Sequence, residues 1–133
     1  MGVWGVDSFE NDDSADWITE FIARPSIGSV IDTLTLAAEA GLDDYLELAE
    51  DAAVITAAEI VAALNHQPSA DLPEEIAEWV TTQNEIDAEL IDLALQAIAK
   101  VKINSELQDL WQNSTSLDEW LTAVNNLEER LKS

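Results

Sequence analysis

The sequence predicts an all-α protein: a single-domain, irregular helical bundle of about five to six helices with an ordered N-terminal segment. Apolar residues recur every three or four positions, which is the helical period, and they do not alternate as in a strand. Capping residues and prolines mark several helix ends. With 133 residues, the chain has the length of one domain and can bury a core without disulfides.

The first two helices have well-marked ends. We expect the first helix to begin at a cap within residues 12–14 and to end with Arg24, because Pro25 follows. Ser26 is predicted to cap the second helix, and Gly41 to end it in a left-handed conformation. The predicted apolar face of the first helix comprises Trp17, Ile18, Phe21 and Ile22. That of the second comprises Val30, Ile31, Leu34, Ala37 and Ala38.

The third helix is predicted to start at Asp43 or Asp44 and to run to Leu64. Alanine on most sides of residues 52–64 would let neighbouring helices approach closely, so this is the candidate central helix. Residues 65–71 form the clearest loop of the chain. Beyond it, Pro73 is predicted to occupy the first position of a short fourth helix. The apolar residues of that helix are Ile76, Trp79 and Val80.

Three more helical segments follow. The fifth helix is predicted from about Ile86 to Lys102. A capping box at Ser105 predicts a short helical turn, and a second one at Ser116 begins the last helix. The inward residues of the fifth helix are Leu90, Ala94, Ala97, Ile98 and Val101, and its outward acids are Glu85, Asp87, Glu89 and Asp92. The short turn holds Leu107, Leu110 and Trp111, and the last apolar stripe is Leu117, Trp120, Leu121, Val124, Leu127 and Leu131.

Charge is the strongest compositional signal. The chain has 28 acidic residues against five basic ones, which gives a net charge of −23. The acids are spread evenly over both halves of the chain, so they form a shell and not a tail. Binding to nucleic acid or to an anionic membrane would need a basic patch that five scattered cations cannot easily make. Two interpretations stay open: a solubilising surface, or a docking face for a basic protein or a cation.

Several absences narrow the function further. Without cysteine there is no disulfide framework, zinc ribbon, iron–sulfur site or thiol chemistry, which fits a reducing cytoplasm. No signal-peptide pattern opens the chain, and its longest apolar run, residues 52–64, is too short to span a membrane and contains Glu59. The sequence also lacks a phosphate-binding glycine loop. We therefore expect a soluble, cytoplasmic protein with no cofactor, and leave its oligomeric state open.

The N-terminal segment combines glycines, aromatic residues and acids without a helical or strand period. Trp4 is flanked by Gly2 and Gly5, so we expect Trp4 and Phe9 to pack against the helices and residues 1–11 to belong to the fold, in a single domain of residues 1–133. The candidate binding residues of this segment are Trp4, Asp7, Phe9, Glu10, Asn11 and Asp12.

A calcium site is one interpretation of these acids, because hard cations take several oxygen ligands from one short loop. An EF-hand beginning at Asn11 would place Asp16 where the loop requires glycine and Ile22 where it requires glutamate, so that motif is excluded. Two interpretations remain: an irregular divalent-cation site, or carboxylates that cap the first helix and complement its dipole.

Catalytic constellations are not recognisable. His66 is the only imidazole, and in a loop after a helix end it is expected to be exposed or to cap that end, not to act as a general base. Paired carboxylates are too numerous to select one reactive pair, and no strand–turn–helix carries a serine nucleophile. Four tryptophans fall on apolar stripes and are predicted to pack in the core: Trp17, Trp79, Trp111 and Trp120.

Short motifs occur along nearly the whole chain. The first are Met1-Gly2-x-Trp4-Gly5, Phe9-x-Asn11-Asp12 and Ala15-Asp16-Trp17. The later ones are Ala57-Ala58-Glu59-Ile60-Val61-Ala62-Ala63, Leu72-Pro73-Glu74-Glu75, Ser105-Glu106-Leu107, Leu110-Trp111, Trp120 and Leu127-x-x-Arg130-Leu131. With these motifs the chain resembles a family of bacterial proteins, the domain of unknown function 4259. That family carries a glycine near the positions of Val6-Asp7-Ser8 and of His66, so the turns there are expected to differ. The resemblance implies no activity.

These observations favour a binding or regulatory module that is not an enzyme and that docks a basic protein partner. The alternative is an enzyme or divalent-cation-binding protein that uses the N-terminal acids, with Trp4 and Phe9 as a pocket wall. A structure can discriminate between them. A continuous acidic surface supports docking, whereas acids that converge in a partly apolar pocket support chemistry.

Overall fold

The protein is an all-α, single-domain helical bundle. The computed structural model describes residues 12–39, 47–69, 72–83, 87–103 and 117–132, and within these ranges it contains helices and no strand. The six helices are α1 (Asp12–Ala23), α2 (Ile27–Ala38), α3 (Leu48–Leu64), α4 (Glu74–Thr81), α5 (Ala88–Ile103) and α6 (Leu117–Lys132).

Helix α3 is the centre of the bundle, as predicted. It packs against each of the other five helices. Its small residues Ala52, Ala57, Ala58 and Ala62 are fully buried, which allows this close approach. The largest side chains buried around it come from four other helices: Val30, Leu34, Ile76, Ile98, Val101, Trp120, Leu127 and Leu131.

An aromatic cluster joins α1 to α4 at one side of this core. The ring of Phe21 stacks on Trp17, with centroids 5.2 Å apart, and meets the edge of Trp79 at 5.1 Å. Both geometries are favoured by aromatic quadrupoles. Trp17 and Trp79 are half-buried and Trp120 is fully buried, which confirms core packing for these three tryptophans.

Most helix ends lie within a few residues of their predicted positions. Ser26 caps α2, its hydroxyl accepting a hydrogen bond from the backbone N–H of Ser29. Arg24 follows the last residue of α1 instead of lying in its last turn. Pro73 is the residue before α4 and not its first helical residue. The largest error concerns α3, which begins at Leu48 and not at residue 43 or 44.

The start of α3 is determined by Glu47. Its backbone is extended, with φ −77° and ψ 163°, and its N–H donates to the carboxylate of Glu50. Aspartate is a common N-cap residue and glutamate is not, so the sequence predicted that α3 starts at Asp43 or Asp44. Helix α5 begins at Ala88, where the carboxylate of Asp87 accepts from the N–H of Glu89 at 2.8 Å.

Ile31 was predicted to face the core but is 39% exposed. Its neighbours Val30, Leu34 and Ala37 are buried and Ala38 is half-buried, so the buried stripe of α2 is narrower than its apolar pattern. The expectations about Gly41, about the helical turn with Trp111, about the cap at Ser116 and about residues 1–11 lie outside the described residues. Among the helices described, none has both the length and the apolar character needed to cross a membrane.

Candidate functional site

Of the N-terminal candidate residues, Asp12 alone belongs to the described part of the chain. Trp4, Asp7, Phe9, Glu10 and Asn11 lie outside the described residues. Asp12 is the first residue of α1, so the segment leads directly into that helix. Asp16, one turn further, is exposed.

The described carboxylates form an exposed shell, and few of them are drawn inward. Only the carboxylates of α3 and Glu128 are partly or fully buried among the acidic side chains that the structure describes. In the same residues no group of three or more histidine, aspartate or glutamate side chains could hold a metal ion. The exposed acids are Asp16, Glu20, Asp32, Glu39, Glu47, Glu74, Glu75, Glu78, Asp87, Glu89, Asp92, Asp118, Glu119 and Glu129.

The basic residues have the opposite distribution. Lys100 is buried, with 7% of its surface exposed, although lysine is rarely found in a protein interior. Lys102 and Arg130 are held in ion pairs, and only Arg24 and Lys132 are exposed. All five basic residues of the chain lie in the described part, where the exposed charged side chains are 14 acids and two cations.

The pair at Lys102 joins α5 to α6. Its ammonium lies 2.8 Å from a carboxylate oxygen of Glu128 and 2.8 Å from the amide oxygen of Asn125. Both charged side chains are mostly covered, at 27% and 19% exposed. Two of the three ammonium protons are thereby bound by side chains of α6, and the paired carboxylate of Glu128 offsets the charge that would repel a basic partner.

Arg130 makes a more deeply buried pair with Glu59, between α6 and α3. The guanidinium donates to both carboxylate oxygens, from Nη1 at 2.7 Å and from Nη2 at 3.2 Å. The glutamate side chain is 3% exposed and the arginine 17%. Nε donates to the amide oxygen of Asn126, and Nη1 also reaches the carbonyl of Gln67 at 3.3 Å. A bidentate pair of this kind fixes both position and orientation.

The loop after α3 completes this connection. The side-chain amide of Asn65 donates to the carbonyls of Arg130 and Leu131, at 3.2 and 3.3 Å, and so satisfies acceptors in the last turn of α6. We call the four residues Glu59, Asn65, Gln67 and Arg130 the α3–α6 clamp. Since its charges satisfy each other, the clamp is suited to holding two helices together and not to proton transfer.

His66 shapes the turn that positions the clamp. Its φ is 63°, the left-handed conformation, and its N–H donates to the carbonyl of Ala63 while the N–H of Gln67 donates to that of Ala62. These two bonds form a Schellman motif, a helix ending at which glycine is the usual left-handed residue. The imidazole is exposed, as predicted, in keeping with an end-capping position.

Two grooves flank α2. The α2–α5 groove has a volume of about 330 Å³ and is lined by Ile31, Asp87, Glu89, Leu90, Leu93 and Gln96. The second groove, of about 300 Å³, lies where α1, α2 and α3 meet and is lined by Trp17, Thr33, Leu36, Glu50, Ala53 and Val54. Ile27, Ile31 and Leu36 of α2 are the large apolar side chains exposed in the described part of the chain.

Sequence reasoning missed both the clamp and the exposed apolar residues of α2. A lone acid, Glu59, in an otherwise apolar run was a sign of a buried ion pair, but its partner lies 71 residues away. The sign for α2 was its composition, because Asp32 is its only charged residue in a chain of which 25% is charged. A solvent-facing helix usually carries more charge than this.

The comparisons with known proteins show one family. The family model of the domain of unknown function 4259 matches residues 2–123, which is most of the chain. The matched range ends before Arg130, so it does not include both halves of the clamp. No curated protein and no solved structure shows significant similarity to the chain.

Proposed function

The chain belongs to the family called domain of unknown function 4259, and we propose that it is a non-enzymatic binding protein that docks a basic protein partner through its acidic surface. The observation that carries the proposal is that three of the five basic side chains are buried or ion-paired. Burial of Lys100 and pairing of Lys102 and Arg130 leave the described surface dominated by carboxylates. Such a surface attracts a basic protein over distance and repels nucleic acid and anionic membranes.

The arrangement of the acids also supports binding over catalysis. Carboxylate chemistry requires two groups in a cleft whose environments separate their proton affinities. The exposed acids lie on all six helices or next to their ends, and the groove between α2 and α5 gathers just two of those described, Asp87 and Glu89, both of them exposed. We also propose that the protein acts in the bacterial cytoplasm, because a chain without cysteine forms no disulfides and needs no oxidising compartment.

The proposal predicts fast, salt-sensitive association. The immobilised protein should retain a basic protein from lysate of its source organism at about 0.05 M NaCl and release it near about 0.3 M, because screening shortens the range of the attraction. An unrelated helical protein of similar net charge is the control for simple ion exchange. If no basic protein binds this chain in preference to the control, the docking proposal is wrong.

A second experiment separates docking from a site in the N-terminal segment. The triple variant Asp7→Asn, Glu10→Gln, Asp12→Asn removes three of 28 acidic charges and leaves the rest of the shell intact. A partner that docks on the acidic shell should bind this variant with only modest weakening. Complete loss of binding would instead assign the function to residues 7–12.

A further inference from the structure

We propose that the α2–α5 groove is the place where the partner docks and that its ligand is a basic amphipathic helix of that partner. This inference rests on the proposed function and narrows it to one surface. Helices bind grooves by burying apolar side chains on one face while their polar face stays in water. The groove offers both of the features that such a ligand requires.

The first feature is an apolar floor. Ile31 is 39% exposed at the groove, and Leu90 and Leu93 line it half-buried. Ile27, also exposed, precedes Ile31 by one turn of α2 and extends the apolar strip. The lining residues Asp87 to Gln96 span about 14 Å along α5 at 1.5 Å per residue, which matches two to three turns of a bound helix.

The second feature is an acidic rim. Asp87 and Glu89 line the groove beside its leucines, and both are exposed. The carboxylate of Asp87 is held in place by the N–H of Glu89, so it is oriented before any ligand arrives. Lysine or arginine side chains that flank the apolar face of a bound helix would meet these carboxylates.

Charge identifies the occupant as a separate protein. The carboxylates of Asp87 and Glu89 favour a cationic ligand. The segments outside the described residues, including 1–11, 40–46 and 104–116, contain no lysine or arginine that could meet them. A second copy of the chain would bring another net charge of −23, which opposes self-association. The groove between α1, α2 and α3 is lined by one acid, Glu50, against the two of the α2–α5 groove, and it therefore suits a cationic ligand less well.

The test uses a synthetic helix as the probe. A fluorescent lysine–leucine peptide of about 18 residues, with leucines on one helical face, is titrated against the full chain, and a scrambled peptide of the same composition is the control. We expect the amphipathic peptide to bind at least about tenfold more tightly than the scrambled one, because only the former can bury a leucine face. In a ¹⁵N-labelled sample its largest shift changes should fall on amides of α2 and α5.

Matched variants locate the binding surface. Ile31→Gln should weaken binding about fivefold or more. Leu36→Gln changes a still more exposed apolar residue of the same helix outside this groove and should change binding less than about twofold. Asp87→Asn with Glu89→Gln should weaken binding about threefold to tenfold and reduce its salt dependence. Asn retains the helix-capping ability of Asp87. The control pair is Asp118→Asn with Glu119→Gln, in the first turn of α6.

The outcomes distinguish this inference from the broader proposal. Equal binding of both peptides, or equal effects of Ile31→Gln and Leu36→Gln, would refute the groove and leave electrostatic docking in place. If neither peptide binds at low salt, both proposals are wrong. The amide shifts are measured on the unaltered protein, so they remain decisive even if one variant is poorly folded.

Discussion

Helices α2 and α3 pack side by side, yet each carries side chains expected of the other. The central helix α3 contains three acids, of which Asp51 and Glu59 are buried. The peripheral helix α2 has one acid and exposes Ile27, Ile31 and Leu36. Buried charge and exposed apolar surface are the two departures from ordinary globular design that need an explanation. In α3 the buried charge has a structural role, since Glu59 binds Arg130 of α6. The exposed apolar side chains of α2 have no such role, which favours a role in recognising a partner.

The largest expected effect tests the architectural side of this contrast. Arg130→Met should destabilise the protein by about 3–5 kcal/mol, because it leaves Glu59 buried without its cation. The double variant Glu59→Leu, Arg130→Met should recover most of that loss, since both charges are then absent. Urea unfolding measures both, with Arg24→Met, at an exposed cation, as the control. A single variant as stable as the control would show that the clamp contributes nothing.

Deletion of the N-terminal segment tests whether its aromatic residues are buried in the fold or exposed at the surface. If Trp4 and Phe9 pack against the helices, deletion of residues 2–11 should lower the free energy of unfolding by about 3–5 kcal/mol, as truncation of an aromatic core residue does. Thermal and urea unfolding of the two chains supply the comparison. An unchanged melting temperature would contradict the expectation that these residues are part of the fold.

Two positions on α2 sharpen the contrast within a single helix. Leu34 is fully buried, so Leu34→Ala should cost about 2–5 kcal/mol. Ile31 lies three residues earlier and is 39% exposed, so Ile31→Gln should cost clearly less, about 1 kcal/mol or below. Chemical denaturation of the two variants gives both values. A large loss at Ile31 would mean that this residue is structural, and the argument for recognition at α2 would fail.

The acidic shell should make stability depend on salt. Raising the ionic strength screens repulsion among the uncompensated charges, so moderate NaCl should raise the melting temperature by about 4 °C, equivalent to about 1 kcal/mol. Calcium at matched ionic strength should add no saturable increase. A saturable increase that disappears in the triple variant of Asp7, Glu10 and Asp12 would revive the cation-site alternative.

The smallest effect concerns the turn that presents the clamp. His66→Gly should stabilise the protein by about 0.5–1 kcal/mol. Residues other than glycine lose about 1–2 kcal/mol in the left-handed conformation, which glycine adopts without strain. Part of that gain is lost because glycine makes the unfolded chain more flexible. His66→Ala serves as the control, since alanine keeps the strain. Destabilisation by glycine would assign the imidazole a structural contact.

Local chemistry explains which parts of the fold were predictable. Ser26 and the apolar stripes of α5 and α6 act within their own helices, so their roles could be predicted from neighbouring residues. The clamp could not, because it forms only when α3 and α6 meet. Ile31 was misassigned for a related reason: Val30 and Ile31 point about 100° apart around α2, and the positions of α3 and α5 determine which one is covered. The N-terminal site stays a prediction.

The separation of Glu59 from Arg130 has a consequence for biosynthesis. The arginine lies 71 residues after its partner, so a ribosome adding about 5–20 residues per second synthesises it about 4–14 s later. During that interval the nascent chain contains α3 but lacks the cation that makes burial of Glu59 favourable. We therefore expect the central helix to reach its final packing only after α6 has been made.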